Sequence, residues 1–143
     1  MKKVIVTVIT GLVLSSAGYA QSSQVEWWFG LAAKKDVFTY VYMGKGYSEL
    51  KISEDLTKEF SSIKFVKILS SDKYKSKEVK STISNIRFGL DCDNFELILK
   101  IAEEGDGKTE IYIRKSKKSD LEKVIIMEQE GVVSITWIYG EGK

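Results

Sequence analysis

The chain contains no histidine and no proline, and its only cysteine is Cys92. Without imidazole, histidine-assisted serine or cysteine catalysis and the common histidine metal sites are excluded. Without proline there is no cis-proline turn. A lone cysteine cannot close an intramolecular disulfide, and Cys92 is expected to be a buried, small apolar side chain. No G-x-x-x-x-G-K-[ST] phosphate loop occurs, Gly44-Lys45-Gly46 is too short to serve as one, and no serine sits in a G-x-S-x-G elbow. The 20 acidic residues include no pair set apart by an apolar surrounding that would drive their pKa values apart. No catalytic, cofactor-binding or metal-ligating residues are expected.

The first twenty residues carry the clearest positive signal. Lys2 and Lys3 precede an apolar stretch from Val4 to Leu14, and Gly18 and Ala20 place small residues at minus three and minus one of a cut before Gln21. This is the pattern of a secretory signal peptide. Its apolar core of about 11 residues is short of the roughly 20 that cross a bilayer as a helix. Residues 1–20 are therefore expected to be removed, leaving 21–143 as one domain in the periplasm or outside the cell, soluble and without a membrane span. The whole chain has 22 basic and 20 acidic residues; loss of Lys2 and Lys3 brings the two into balance. A general electrostatic attraction for nucleic acid is thereby excluded.

Val25, Trp28, Phe29 and Ala32 recur at helical spacing and predict a short amphipathic helix over 25–33. Val37 to Met43, rich in β-branched and aromatic residues, reads as a strand with two apolar faces, expected in the middle of a sheet. Ser53 is placed to cap a short helix from Glu54 to Phe60, and Ile63 to Leu69 forms the next strand, its apolar run broken by Lys64 and Lys67. This spacing suggests a right-handed crossover between parallel strands, a hairpin with an intervening helical turn being the alternative. Val79, Ile83 and Ile86 mark a second helix over 75–88, with Gly89 at its end.

Four strand signals close the chain: Phe95 to Ile101, Glu110 to Lys115, Leu121 to Met127 and Val132 to Tyr139. Short turn-forming loops separate them, so an antiparallel meander is expected. The Ser116-Lys117-Lys118-Ser119 loop is solvated and discourages edge pairing. The predicted fold is α+β, a two-layer sandwich with helices packed on one face of a mixed, mostly antiparallel sheet. Asp91-Cys92-Asp93-Asn94 has the opening of a calcium loop, but Phe95 stands where the next oxygen ligand belongs, and it reads as a polar turn. Glu103 to Gly107 reads as a solvated turn.

The aromatic residues form the main candidate site. Trp27, Trp28 and Phe29 cannot all face one way on a helix, and Trp27 is expected at the rim or in solvent. Tyr40, Tyr42, Tyr112, Trp137 and Tyr139 are strand residues that can line a sheet face, either as packing or as a contact surface. An edge strand could also take a partner strand, including one from a second copy of the chain.

The order of these features resembles a family of small exported proteins of Bacteroides-type bacteria called domain of unknown function 4252. The resemblance rests on the leader, the aromatic-bearing helix 25–33, the strand 37–43, the strand 63–70, the longer helix, and the closing meander with Glu110-Ile111-Tyr112-Ile113-Arg114. It implies no catalytic residues. The function expected is that of a non-enzymatic envelope interaction domain binding a protein or peptide; a small-ligand carrier or a carboxylate-based hydrolase is the alternative.

Overall fold

The computed structural model describes residues 23–45, 57–102, 107–116 and 119–143. Its elements run α1 (Gln24–Ala33), β1 (Thr39–Gly44), β2 (Phe60–Ser71), α2 (Lys77–Cys92), β3 (Glu96–Ala102), β4 (Lys108–Lys115), β5 (Asp120–Gln129) and β6 (Val132–Gly142). The six strands form one antiparallel sheet in the order β1-β2-β6-β5-β4-β3. The α+β architecture and the meander are as expected from the sequence. The leader, the Glu103–Asp106 stretch and the helix expected from Ser53 up to Leu56 lie outside the described residues; Phe60 already belongs to β2.

Three expectations about the strands and helices are corrected. The first two strands are antiparallel, Tyr40 opposite Leu69 and Tyr42 opposite Lys67. The strand at 39–44 is an edge, not a central strand; its apolar side chains reflect exposed aromatics rather than burial on two faces. Gly89 does not end α2, which continues through buried Leu90 to Cys92. Gly89 instead marks the crossing of the helices. A Cβ there would lie 3.1 Å from both the Gln24 carbonyl carbon and Trp28 Cδ1, so the bare backbone is what lets α1 approach.

Both helices begin on serine caps. The Ser23 hydroxyl accepts from the Glu26 N–H at 2.9 Å, and Ser76 accepts from the Glu78 and Val79 N–H groups at 3.1 and 3.3 Å. A second cap on α1 comes from far along the chain. The Asp93 carboxylate accepts from the Gln24 and Val25 N–H groups at 3.0 and 2.9 Å. Asp93 thus ties the end of α2 to the start of α1 and adds negative charge where the helix dipole favours it. Replacing Asp93 with alanine is expected to cost about 1–2 kcal/mol of stability, measured by urea unfolding, and Asp93→Asn should recover only part of it, because its amide has one acceptor oxygen for two N–H groups and carries no charge.

Beyond Asp93, Asn94 takes the left-handed conformation (φ 63) and the Phe95 N–H returns to the Leu90 carbonyl at 2.9 Å, closing α2 and starting β3. Cys92, in this turn, is exposed and free rather than buried. It is the last helical residue and lies away from the stripe that ends at Leu90. Partial burial, then the Asp93 and Asp91 charges, raise its thiol pKa. Glu130 and Gly131, both at positive φ, form the two-residue β5–β6 hairpin turn.

The helix-side core joins Val25, Phe29 and Ala32 of α1 and Val79, Ile83, Ile86 and Leu90 of α2 to Leu69, Val124, Ile126, Ile135 and Trp137 of the sheet. The opposite sheet face carries a second apolar cluster of Phe60, Ile63, Val66, Leu121, Ile125 and Ile138. Strand β5 lies between them and is buried from Leu121 to Ile126, charged residues included. Both buried charges are matched. Glu122 meets Arg114, and Lys123 Nζ donates to Glu59 Oε1 at 2.9 Å. Burial alone would raise the Glu59 carboxyl, but its hydrogen bond and charge interaction with Lys123 outweigh this and hold it below its ordinary value. Among the described residues no helix is long and apolar enough to cross a membrane.

Candidate functional site

Strand register places five of the six predicted site residues on the helix side of the sheet. One cross-strand row runs Tyr42, Lys67, Trp137, Val124, Tyr112; the next brings Phe65, Tyr139, Glu122 and Arg114 together; a third begins Tyr40, Leu69, Ile135. Directly opposed residues in a ladder share a face, so these rows form one surface. The helices cover its centre. Tyr40 and Tyr42, on the edge strand, remain 39% and 56% exposed.

The five residues do not have equal access. Trp137 is only 4% exposed. Its ring packs on Phe29 at 5.5 Å and takes Phe65 edge-on at 5.4 Å, and its indole N–H donates to Glu122 Oε1 at 3.1 Å. It is the base of the site rather than its contact surface. Tyr139 is half-buried 5.2 Å from Phe65, and Phe65 stacks on Tyr42 at 6.2 Å and 29°. Tyr42, Phe65, Tyr139 and Trp137 therefore form a continuous aromatic platform reaching the β1 edge. Tyr112 lies two strands beyond Trp137, half-buried, its hydroxyl donating to Glu110 Oε1 at 2.9 Å. Trp27 stands apart on the outer side of α1, 60% exposed beside a hollow of about 460 Å³ with Gly30 and Leu31.

Sequence reasoning missed Phe65, Lys64 and Lys67. Lys67 Nζ lies 4.9 Å from the Phe65 ring centre and 5.0 Å from that of Trp137, a cation–π arrangement. Lys64 Nζ lies 5.2 Å from the Tyr139 ring and 3.6 Å from Asp120 Oδ1. A break in register between Ile63 and Phe65 explains why the two lysines reach the same cluster. Lys64 is the extra residue of a bulge, which re-aims its side chain. Gly140 makes room for that bulge, since a side chain there would collide with the Ser62 carbonyl. The only available signal was alternation: Phe65, Lys67 and Leu69 share one parity on a strand that also carries Lys64.

Polar contacts fix the platform. The Tyr139 hydroxyl donates to Asp120 Oδ2 at 2.9 Å, and this bond, then burial, raises its pKa. Burial, then the neighbouring Tyr42, raises that of Tyr40. Tyr112 is raised furthest, to about 12, by burial and then by its hydrogen bond to Glu110. Because the folded chain holds this proton more tightly than the unfolded one, the stability contributed by Tyr112 is full below pH 10.0 and is lost as pH rises through about 12. Unfolding free energies measured across that range should decline less steeply in Tyr112→Phe than in the wild type.

Among the described residues no three of cysteine, aspartate and glutamate gather to hold a metal ion. Two further hollows, of about 590 and 540 Å³, are lined one by Asp93, Glu96 and Arg114 and one by Arg87, Leu97, Lys100 and Tyr112.

Architecture and surface define a small α+β domain with one open antiparallel sheet whose aromatic edge is accessible. The chain belongs to the family described as Domain of unknown function (DUF4252), whose model matches residues 27–141. The match takes in the described strands, α2 and most of α1, and so covers the features on which the sequence resemblance rested apart from the leader. No curated protein and no solved structure is a significant match to the chain.

Proposed function

We propose that this protein is an exported, non-enzymatic interaction domain of the bacterial cell envelope, which engages a protein or peptide partner through the aromatic end of its helix-side sheet face and the adjoining β1 edge. The observation that carries this reading is the exposure of Tyr40 and Tyr42 on an edge strand backed by the packed Phe65–Trp137–Tyr139 cluster. Aromatics held rigid before contact lose little conformational freedom on binding and offer large contact area. The leader supports export, and a cut before Gln21 would remove nothing that the described fold uses, since α1 takes its cap from Ser23.

Site-specific photocrosslinking in envelope extract tests this reading. A benzophenone side chain replacing Tyr42 should give discrete adducts, competed by unlabelled wild-type chain and not by a folded Tyr40→Ala/Phe65→Ala variant. The same group replacing Phe88, an exposed aromatic on α2, should give none. Identical adducts from both positions, or none from position 42, would contradict the proposal. N-terminal sequencing of the exported chain should begin at Gln21.

A further inference from the structure

The two edges of the sheet are not equivalent. At one edge, β3 is interrupted by a register shift between Leu97 and Leu99 and carries Glu96 and Lys100 within its length. Bulges and charges are the devices by which natural sheets keep edges from pairing. At the other edge, Thr39–Gly44 pairs with β2 in unbroken register, contains no charged residue, and has no strand on its outer side among the described residues. An unguarded edge with backbone donors and acceptors facing outward is the substrate for strand addition.

Charge specifies which strand fits. Lys64 already has the Asp120 carboxylate. Lys67, held between the Phe65 and Trp137 rings, makes no ion pair among the described residues. It stands directly opposite Tyr42. A strand added outside β1 would set its own helix-side residue opposite Tyr42, roughly 10 Å from β2. Extended glutamate and lysine side chains can meet across that gap, over the Tyr42 ring. On the other face the same strand would lie beside Val41 and Met43, whose neighbours Ile68 and Val66 are apolar.

Resting on the interaction reading above, we infer that the β1 edge of this domain takes an acidic peptide strand, with carboxylate side chains on the helix side directed to Lys67 and apolar ones on the opposite face. A second copy of the chain fits less well. Antiparallel self-pairing about Val41 matches Tyr40 with Tyr42 but supplies no carboxylate, because β1 contains none.

The probe is a capped seven-residue peptide alternating glutamate and valine with a central tyrosine, titrated into the full exported chain. Saturable binding is expected, weakening as salt rises, reduced about tenfold by Lys67→Met and restored by Lys67→Arg. Methylating the peptide amides in one alternating phase should abolish binding while the other phase is tolerated. Equal affinity for the glutamine version of the peptide, or for Lys67→Met, would overturn recognition of acidic groups. Equal tolerance of both methylation phases would overturn strand addition. Concentration-dependent dimerisation abolished by Val41→Lys would give the edge to a second copy instead. If position 42 still yields specific envelope adducts while the acidic peptide does not bind, the acidic strand is wrong and the interaction reading stands.

Discussion

Replacing Trp137 by alanine is expected to destabilise the protein by about 3–5 kcal/mol, the range for removing a large buried aromatic. The ring touches the helical layer through Phe29 and the platform through Phe65, so its loss opens a cavity between the layers. It also leaves Glu122 Oε1 without its indole donor inside the sheet, while Arg114 holds the other oxygen through Nε at 3.0 Å. A buried carboxylate deprived of a partner adds its own penalty. Urea unfolding followed by far-ultraviolet circular dichroism measures the loss. Tyr42→Ala, on the exposed edge, should stay within about 0.5 kcal/mol of the wild type. Comparable losses in the two variants would contradict the division into buried base and exposed contact surface.

A single methyl group at position 140 should be nearly as damaging. In Gly140→Ala the new Cβ would overlap the Ser62 carbonyl oxygen and come within 2.9 Å of Ile63 Cα and 3.1 Å of the Ser62 carbonyl carbon. All three obstacles are backbone atoms of the paired strand, so no side chain can swing aside. Strands β2 and β6 must separate where the bulge sets Lys64 and Phe65. A loss of about 3 kcal/mol is expected, the upper part of the range for overpacking, together with a changed near-ultraviolet aromatic signal as Phe65 shifts from Tyr139 and Trp137. Wild-type stability in this variant would show that the close approach of Ser62 is not required.

Much of this fold is written in local sequence. The β5–β6 hairpin is signalled by Glu130-Gly131, the α1 stripe by Val25, Phe29 and Ala32, and the meander by turn chemistry at regular intervals. What escapes a local reading depends on partners distant in the chain. Asp93 caps α1 from 68 residues away, and no nearby pattern distinguishes it from another polar turn residue. Gly89 was read as a helix stop because glycine usually is one; its role comes from α1 lying across it. The strand expected over Val37 to Met43 reads as central because two apolar faces imply burial. An exposed edge built from tyrosine, valine and methionine gives the same alternation.

The candidate site was legible to the same degree. The parity of Tyr40 and Tyr42, and of Trp137 and Tyr139, fixed which residues share a face, and the ladder brings them to one side with Tyr112. Their burial was not legible, because it depends on where the two helices lie. Lys67 looked like an interruption of an apolar strand; it is the cation at the centre of the platform.

Amide hydrogen exchange tests the role of β1 most directly. In the free chain the outward amides of Thr39–Gly44 should exchange rapidly, and adding solubilised envelope fraction should protect them while leaving Glu96–Ala102 unchanged. Protection appearing at β3 or around Trp27, with β1 unaltered, would contradict the assignment of β1 and its aromatic platform as the contact surface.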